Sequence, residues 1–206
     1  MFETYKDITN SIVGMVNRVR TPNKRTLNAL APKTSRADFV EAVQYLADKP
    51  FLLAPLAEAS FRFSESRMMA VRPDVHFRGF KDDGIGLYAL NVDMSFNNAP
   101  PIRHFDLHKV IYQASPAIHA ILLCHPINAF KCWQHNIIPS FEAMPGLESK
   151  LGGYTVADEA TVLNKIEENR LVLVPGLGLL SLSVDLLSAV YQVELLEWIC
   201  ALVLEQ

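Results

Sequence analysis

Residues 101–136 read PIRHFDLHKVIYQASPAIHAILLCHPINAFKCWQHN, and the fold turns on how this stretch is divided. Between Asp106 and Ser115 the apolar residues Leu107, Val110, Ile111 and Ala114 recur at helical spacing, so one face of a helix turns inward. Pro116 ends that helix, because a proline there can neither donate its hydrogen bond nor avoid the preceding carbonyl. Ala117 to Cys124 is then almost continuously apolar and is bounded by Pro116 and Pro126. A run so short and so apolar suits a strand covered on both faces. Asn128 is placed to cap a further short helix, AFKCWQH. His104, His108, His119, His125 and His135 all fall within the stretch. The strand end at His125 is therefore the first place to look for chemistry.

Working outward, Tyr5–Val19 has the spacing of an amphipathic helix, and Arg36–Ala47 that of a second helix with Ser35 as its cap. Leu56–Arg67 alternates Ala59, Phe61 and Phe63 with Ser60, Arg62 and Ser64, as a half-exposed strand does. Met68–Val71 and Gly86–Val92 are two more short strands, with the turn-rich FRGFKDDGIG between them. Downstream, Asp158–Asn169 reads as a polar helix. Leu171–Val174 and Leu177–Leu182 form a strand pair or one bent strand about Pro175-Gly176, and Asp185–Leu204 is the longest helix, with Leu186, Val190, Val193, Leu196, Cys200 and Val203 on one stripe. Strands interleaved with helices imply an α/β domain: a central, mixed or largely antiparallel sheet with helices on its faces.

The chain has 206 residues, half of them hydrophobic, and a net charge of −3. That is enough for one well-filled core, hence a single domain over 1–206, with an N-terminal helical segment at about 1–35. Acidic and basic residues are mixed, and no basic stripe points to a nucleic-acid partner. The opening residues lack the pattern of a secretory signal. The apolar C-terminal stretch carries Glu194 and Glu197, which makes it a poor membrane span. Three cysteines do not make a disulfide framework and suit buried thiols in a reducing cytoplasm. No nucleic-acid or membrane partner is expected.

Several motifs resemble the class II aldolase/adducin family. HKVIYQASPAIHAILLCHPINAF is similar to its helix–Pro–strand segment ending in His-x-His. SFRF, with Ser60 and Arg62, resembles its Ser-x-Arg strand. MMAVRPDVHFRGFKDDGIGLYALNVD and the region from Asp158 onward are similar to the segments that carry its Thr-Pro-Ser-Gly and Asn-His-Gly motifs. The resemblance covers roughly residues 36–204. It implies a three-layer α/β/α sandwich with a nine-stranded, largely antiparallel mixed sheet, assembled as a tetramer. It also implies a zinc ion held by three histidines beside a glutamate, and a lyase or epimerase acting on a small hydroxy-carbonyl compound.

Carried over position by position, the resemblance gives a degenerate metal site. The two histidines of His-x-His fall on Leu123 and His125, the third histidine on Leu177, and the glutamate on His104. The asparagine of a phosphate loop falls on Glu58, and Thr-Pro-Ser-Gly falls on Val71, Arg72, Pro73 and Asp74. A phosphate cradle needs close backbone approach, hence glycine, and Glu58 and Asp74 would repel a phosphate. A catalytic zinc needs about three protein ligands with one position left open. The expectation is therefore no cofactor or a weakly bound divalent metal on His125 and His104, with those two residues as the catalytic pair. Ser60 and Arg62 are the expected substrate-binding residues. The partners expected are a small-molecule ligand and further copies of the chain. The alternative function is a non-catalytic oligomeric or ligand-binding member that has lost the zinc site.

Overall fold

The computed structural model describes residues 31, 33–53, 56–139, 146, 151–158 and 160–205. The sequence-predicted helix Tyr5–Val19 lies outside them. In chain order the elements are α1 (Lys33–Leu46), β1 (Glu58–Ser64), β2 (Arg67–Val71) and β3 (Ile85–Ala89), then α2 (Phe105–Ala114), β4 (Ala120–Cys124) and α3 (Ile127–Gln134). They are followed by β5 (Tyr154–Val156), α4 (Val162–Lys165), β6 (Leu171–Val174), β7 (Gly178–Ser183) and α5 (Leu186–Leu204). A turn of 3₁₀ helix, Asp82–Gly84, leads into β3.

Seven strands form one sheet in the order β3-β2-β1-β4-β7-β6-β5. Every pairing is antiparallel except β5 with β6. The nine strands that the resemblance implies are thus seven among the described residues. β4 sits at the centre, and its alternation divides the core. Ala120, Leu122 and Cys124 face a cluster with Phe39, Val43 and Leu46 of α1, Ala129 and Cys132 of α3, and Val190 and Val193 of α5. Ile121 and Leu123 face the other cluster, with Ile111 and Tyr112 of α2 and Val162 of α4. All five β4 residues have no exposed surface. The continuous apolar run follows directly from this, since a strand covered on both faces has no solvent side to alternate with.

Several local expectations are corrected. Ser35 lies inside α1 rather than capping it. β1 is buried along most of its length, because α1 and α5 cover one of its faces while its polar residues Ser60 and Arg62 are hydrogen-bonded internally. Asn128 lies inside α3; the backbone N–H groups of Asn128 and Ala129 instead donate to the Glu197 carboxylate of α5, at 2.8 and 3.0 Å. The polar helix expected over Asp158–Asn169 shrinks to the single turn α4. α5 is capped by Asp185, whose carboxylate accepts from the Ser188 N–H at 2.7 Å. It is long and apolar enough to cross a membrane. Here it buries Leu186, Ala189, Val190, Val193, Leu196, Ile199 and Cys200, a stripe at helical spacing, against the sheet.

Candidate functional site

β1, β4, the β6–β7 turn and the start of α2 converge on the residues of interest. β1 pairs with β4 so that Glu58 stands opposite Leu123. The chain entering α2 brings His104 to the same place. The Glu58 carboxylate accepts from the His104 backbone N–H at 3.3 Å and lies 3.0 Å from His104 Nδ1. One turn further on, at the i, i+4 spacing that puts two side chains on one helix face, His108 Nε2 is 3.4 Å from Glu58 Oε2. His108 Nδ1 is 2.7 Å from the Ser60 hydroxyl, which is 2.8 Å from the Tyr112 hydroxyl. One proton arrangement serves the whole chain. Tyr112 donates to Ser60 and Ser60 donates to His108 Nδ1, which leaves the proton on His108 Nε2; that nitrogen stands 3.4 Å from the Glu58 carboxylate without a hydrogen bond to it.

Burial sets the charges. His108 has no exposed surface, and desolvation, helped by the charge of His104, pushes its pKa down to about 3, so the ring is neutral. Burial raises the Glu58 carboxyl above its ordinary value, against the lowering effect of His104 and Arg103. His104 is the solvent-facing member, with 28% of its side chain exposed against 10% for Glu58. Glu58 lines a cavity of about 480 Å³ together with Arg72, Asp74, His76, Ile102 and Arg103. His104 lines a smaller, mostly apolar one of about 220 Å³ with Leu107, Val162, Val174 and Leu177. The Glu58–His104 pair thus has one member in each cavity.

His125 follows β4. Its Nε2 lies 3.1 Å from the Leu177 carbonyl oxygen, and its ring stacks on Phe130 at 6.3 Å between centroids. Desolvation lowers its pKa, opposed by the Leu177 carbonyl and assisted by the charges of Arg103 and His104. Leu177 links the two expected catalytic histidines, since it lines the small cavity with His104 and holds His125 through its carbonyl. Gly178 closes the corner. Its φ is +146°, and a Cβ there would lie 2.8 Å from Leu123 Cδ1 and 2.9 Å from the Cys124 carbonyl oxygen, so only glycine lets the β6–β7 turn press this closely on the end of β4.

The residues present do not fit the zinc that the resemblance implies. Positions 123 and 177 offer hydrocarbon, and Leu123 is fully buried. His125 Nε2 is engaged by a carbonyl and His104 Nδ1 by a carboxylate. Among the described residues no group of three His, Cys, Asp or Glu is placed to hold a metal ion.

The two expected substrate-binding residues are turned to other work. Arg62 donates to the carbonyls of Tyr112, Pro116 and Ile118, at 2.7 Å for the first and last, and so holds the end of α2 against the start of β4. Ser60 belongs to the buried chain through His108, and neither residue lines the larger cavity. Sequence reasoning passed over Glu58 as a partner of His104 and gave Arg103 no role. The signal within reach was His104 and His108 at i, i+4 at a helix start, two rings in need of an acceptor.

The family model of the class II aldolase and adducin N-terminal domain matches residues 37–204, and the chain belongs to that family. Among solved structures it is similar to an L-fuculose 1-phosphate aldolase, with a TM-score of 0.71 at 17% identity over 84% of this chain and 86% of that one. It is also similar to a sugar-phosphate aldolase from Thermotoga maritima, with a TM-score of 0.70 at 17% identity over 84% and 94%. A third is the L-fuculose-1-phosphate aldolase of Thermus thermophilus, with a TM-score of 0.68 at 16% identity over 82% and 92%. At these identities the likeness is one of fold. No curated protein matches the sequence.

Proposed function

We propose that the protein is a lyase or epimerase acting on a small hydroxy-carbonyl compound, with the Glu58–His104 pair moving the proton. The observation that carries this reading is the pair itself: a partly exposed imidazole 3.0 Å from a buried carboxyl, set between two cavities. A carboxyl raised by burial and an imidazole in contact with it can pass a proton between them. Reversible removal of a proton next to a carbonyl, or from a hydroxyl during carbon–carbon cleavage, is the step such a pair serves. His125 acts beside it through Leu177. The relatives whose names include aldolase support the choice of substrate class.

A second reading has its own support. Leu123 and Leu177 occupy two ligand positions of the resemblance, which favours a member that binds a ligand without turning it over. Incubation in D₂O with a panel of small hydroxy-carbonyl compounds, followed by NMR, separates the two. The first reading expects exchange or cleavage that falls by about 100-fold or more in His104→Gln and Glu58→Gln. Binding without any exchange supports the second. Exposed Tyr191 and Trp198 on α5 support assembly as a homo-oligomer, a tetramer in this reading. The free thiols of Cys124, Cys132 and Cys200 suit the cytoplasm.

A further inference from the structure

Of the Asp, Glu and Arg side chains that line the larger cavity, all but one are engaged by a neighbour. Arg72 makes two hydrogen bonds to Asp74, at 3.0 and 2.7 Å, so these two charges satisfy each other. Glu58 is taken up by the His104 ring and backbone N–H. Arg103 stands exposed on the rim, and among the described residues it has no hydrogen bond or ion pair. Its charge nevertheless reaches both Glu58 and His125. A phosphate ester carries nearly two charges and wants glycine-rich backbone amides. No glycine stands among the lining residues to supply them. A single carboxylate is matched instead by one guanidinium, whose planar fork can bond both oxygens at once.

We propose that this cavity takes a small monocarboxylate, a hydroxy- or oxo-acid, with Arg103 holding its carboxylate and Asp74 keeping Arg72 from serving as a phosphate site. The inference rests on the hydroxy-carbonyl reading above and narrows it from sugar phosphates to unphosphorylated acids. Glu58 lines the same cavity as Arg103, so a small acid held at Arg103 shares that cavity with the carboxyl of the Glu58–His104 pair.

The test is calorimetric titration of the full chain with glycerate, glycerol 3-phosphate and glycerol. Glycerate is expected to bind at least about tenfold more tightly than the other two. Arg103→Met should weaken glycerate by about tenfold or more, and Arg103→Lys by less, since it keeps the charge but not the fork. Asp74→Asn should tighten glycerol 3-phosphate by releasing Arg72. Glycerol 3-phosphate binding as tightly as glycerate to the unaltered chain, glycerate affinity unchanged in Arg103→Met, or no binding of glycerate at all would each overturn the proposal. Glycerate bound through Arg103 with no proton exchange on any acid defeats the catalytic reading alone. Exchange on a neutral or phosphorylated compound, indifferent to Arg103, defeats this inference alone.

Discussion

His108 is the residue whose surroundings are most demanding. It is fully buried, bonded to Ser60 on one side and facing Glu58 on the other. Its pKa is pushed from 6.5 down to about 3. The unfolded chain therefore binds a proton in that window that the folded one refuses, and stability falls as pH drops from about 6.5 towards 3. Glu58 acts in the opposite sense. Its raised carboxyl favours the folded state at low pH, and that contribution is lost as pH rises above 4.5. Urea unfolding followed across this range should show a flatter acid limb for His108→Gln than for the unaltered chain, and a steeper one for Glu58→Gln. Identical slopes in all three would mean that His108 is protonated in the fold, contrary to its burial. Only part of this was legible in the sequence. His104, His108 and Tyr112 recur at i, i+4 along one helix face, but Ser60 and Glu58 join them only through contacts between 48 and 52 residues apart.

At the scale of elements, what the sequence shows and what it hides divide along the same line. Ala120–Cys124 and Leu186–Leu204 are visible because their periods are local: continuous apolar for a strand covered twice, helical for a surface helix. The start of α3 is hidden because its cap comes from Glu197, 68 and 69 residues away. The same carboxylate explains why α5 carries an acidic residue on an apolar helix. Burial raises the Glu197 carboxyl while the Ala129 and Asn128 N–H groups hold it down. Glu197→Ala leaves two N–H groups without a partner and should cost about 1–3 kcal/mol of stability. Asp185→Ala removes an ordinary N-cap and should cost about 1 kcal/mol. Chemical denaturation of the two variants checks the order; a larger loss for Asp185→Ala would show that water replaces Glu197 readily.

At the scale of the molecule, the question is what covers α5. Its inner stripe is spent on the sheet, while Trp198 is 51% exposed and Tyr191 49%. Tyr45 of α1 stacks edge-on against Tyr191 at 5.5 Å, which extends the aromatic surface on to a second helix. Large aromatic side chains in a shared exposed patch are what interfaces between protein chains use. Light scattering at concentrations of about 10–50 µM is expected to give an oligomer, and Trp198→Glu to give a smaller species with unchanged circular dichroism. A monomer in both would remove the assembly from the account.

The fold of the family is retained, whereas the ligand positions of the resemblance hold leucine at 123 and 177, with His104 in place of the glutamate. Glu58, which stands where that pattern has asparagine, now binds His104. The central claim is that the chemical centre of this chain is a carboxyl–imidazole pair and no longer a metal. Elemental analysis of the chain purified without chelator tests it most directly. The account predicts well under about 0.2 equivalents of zinc per chain, because a site of this kind needs about three protein ligands. One equivalent of zinc, lost on His125→Ala, would contradict it and return the chemistry to the metal.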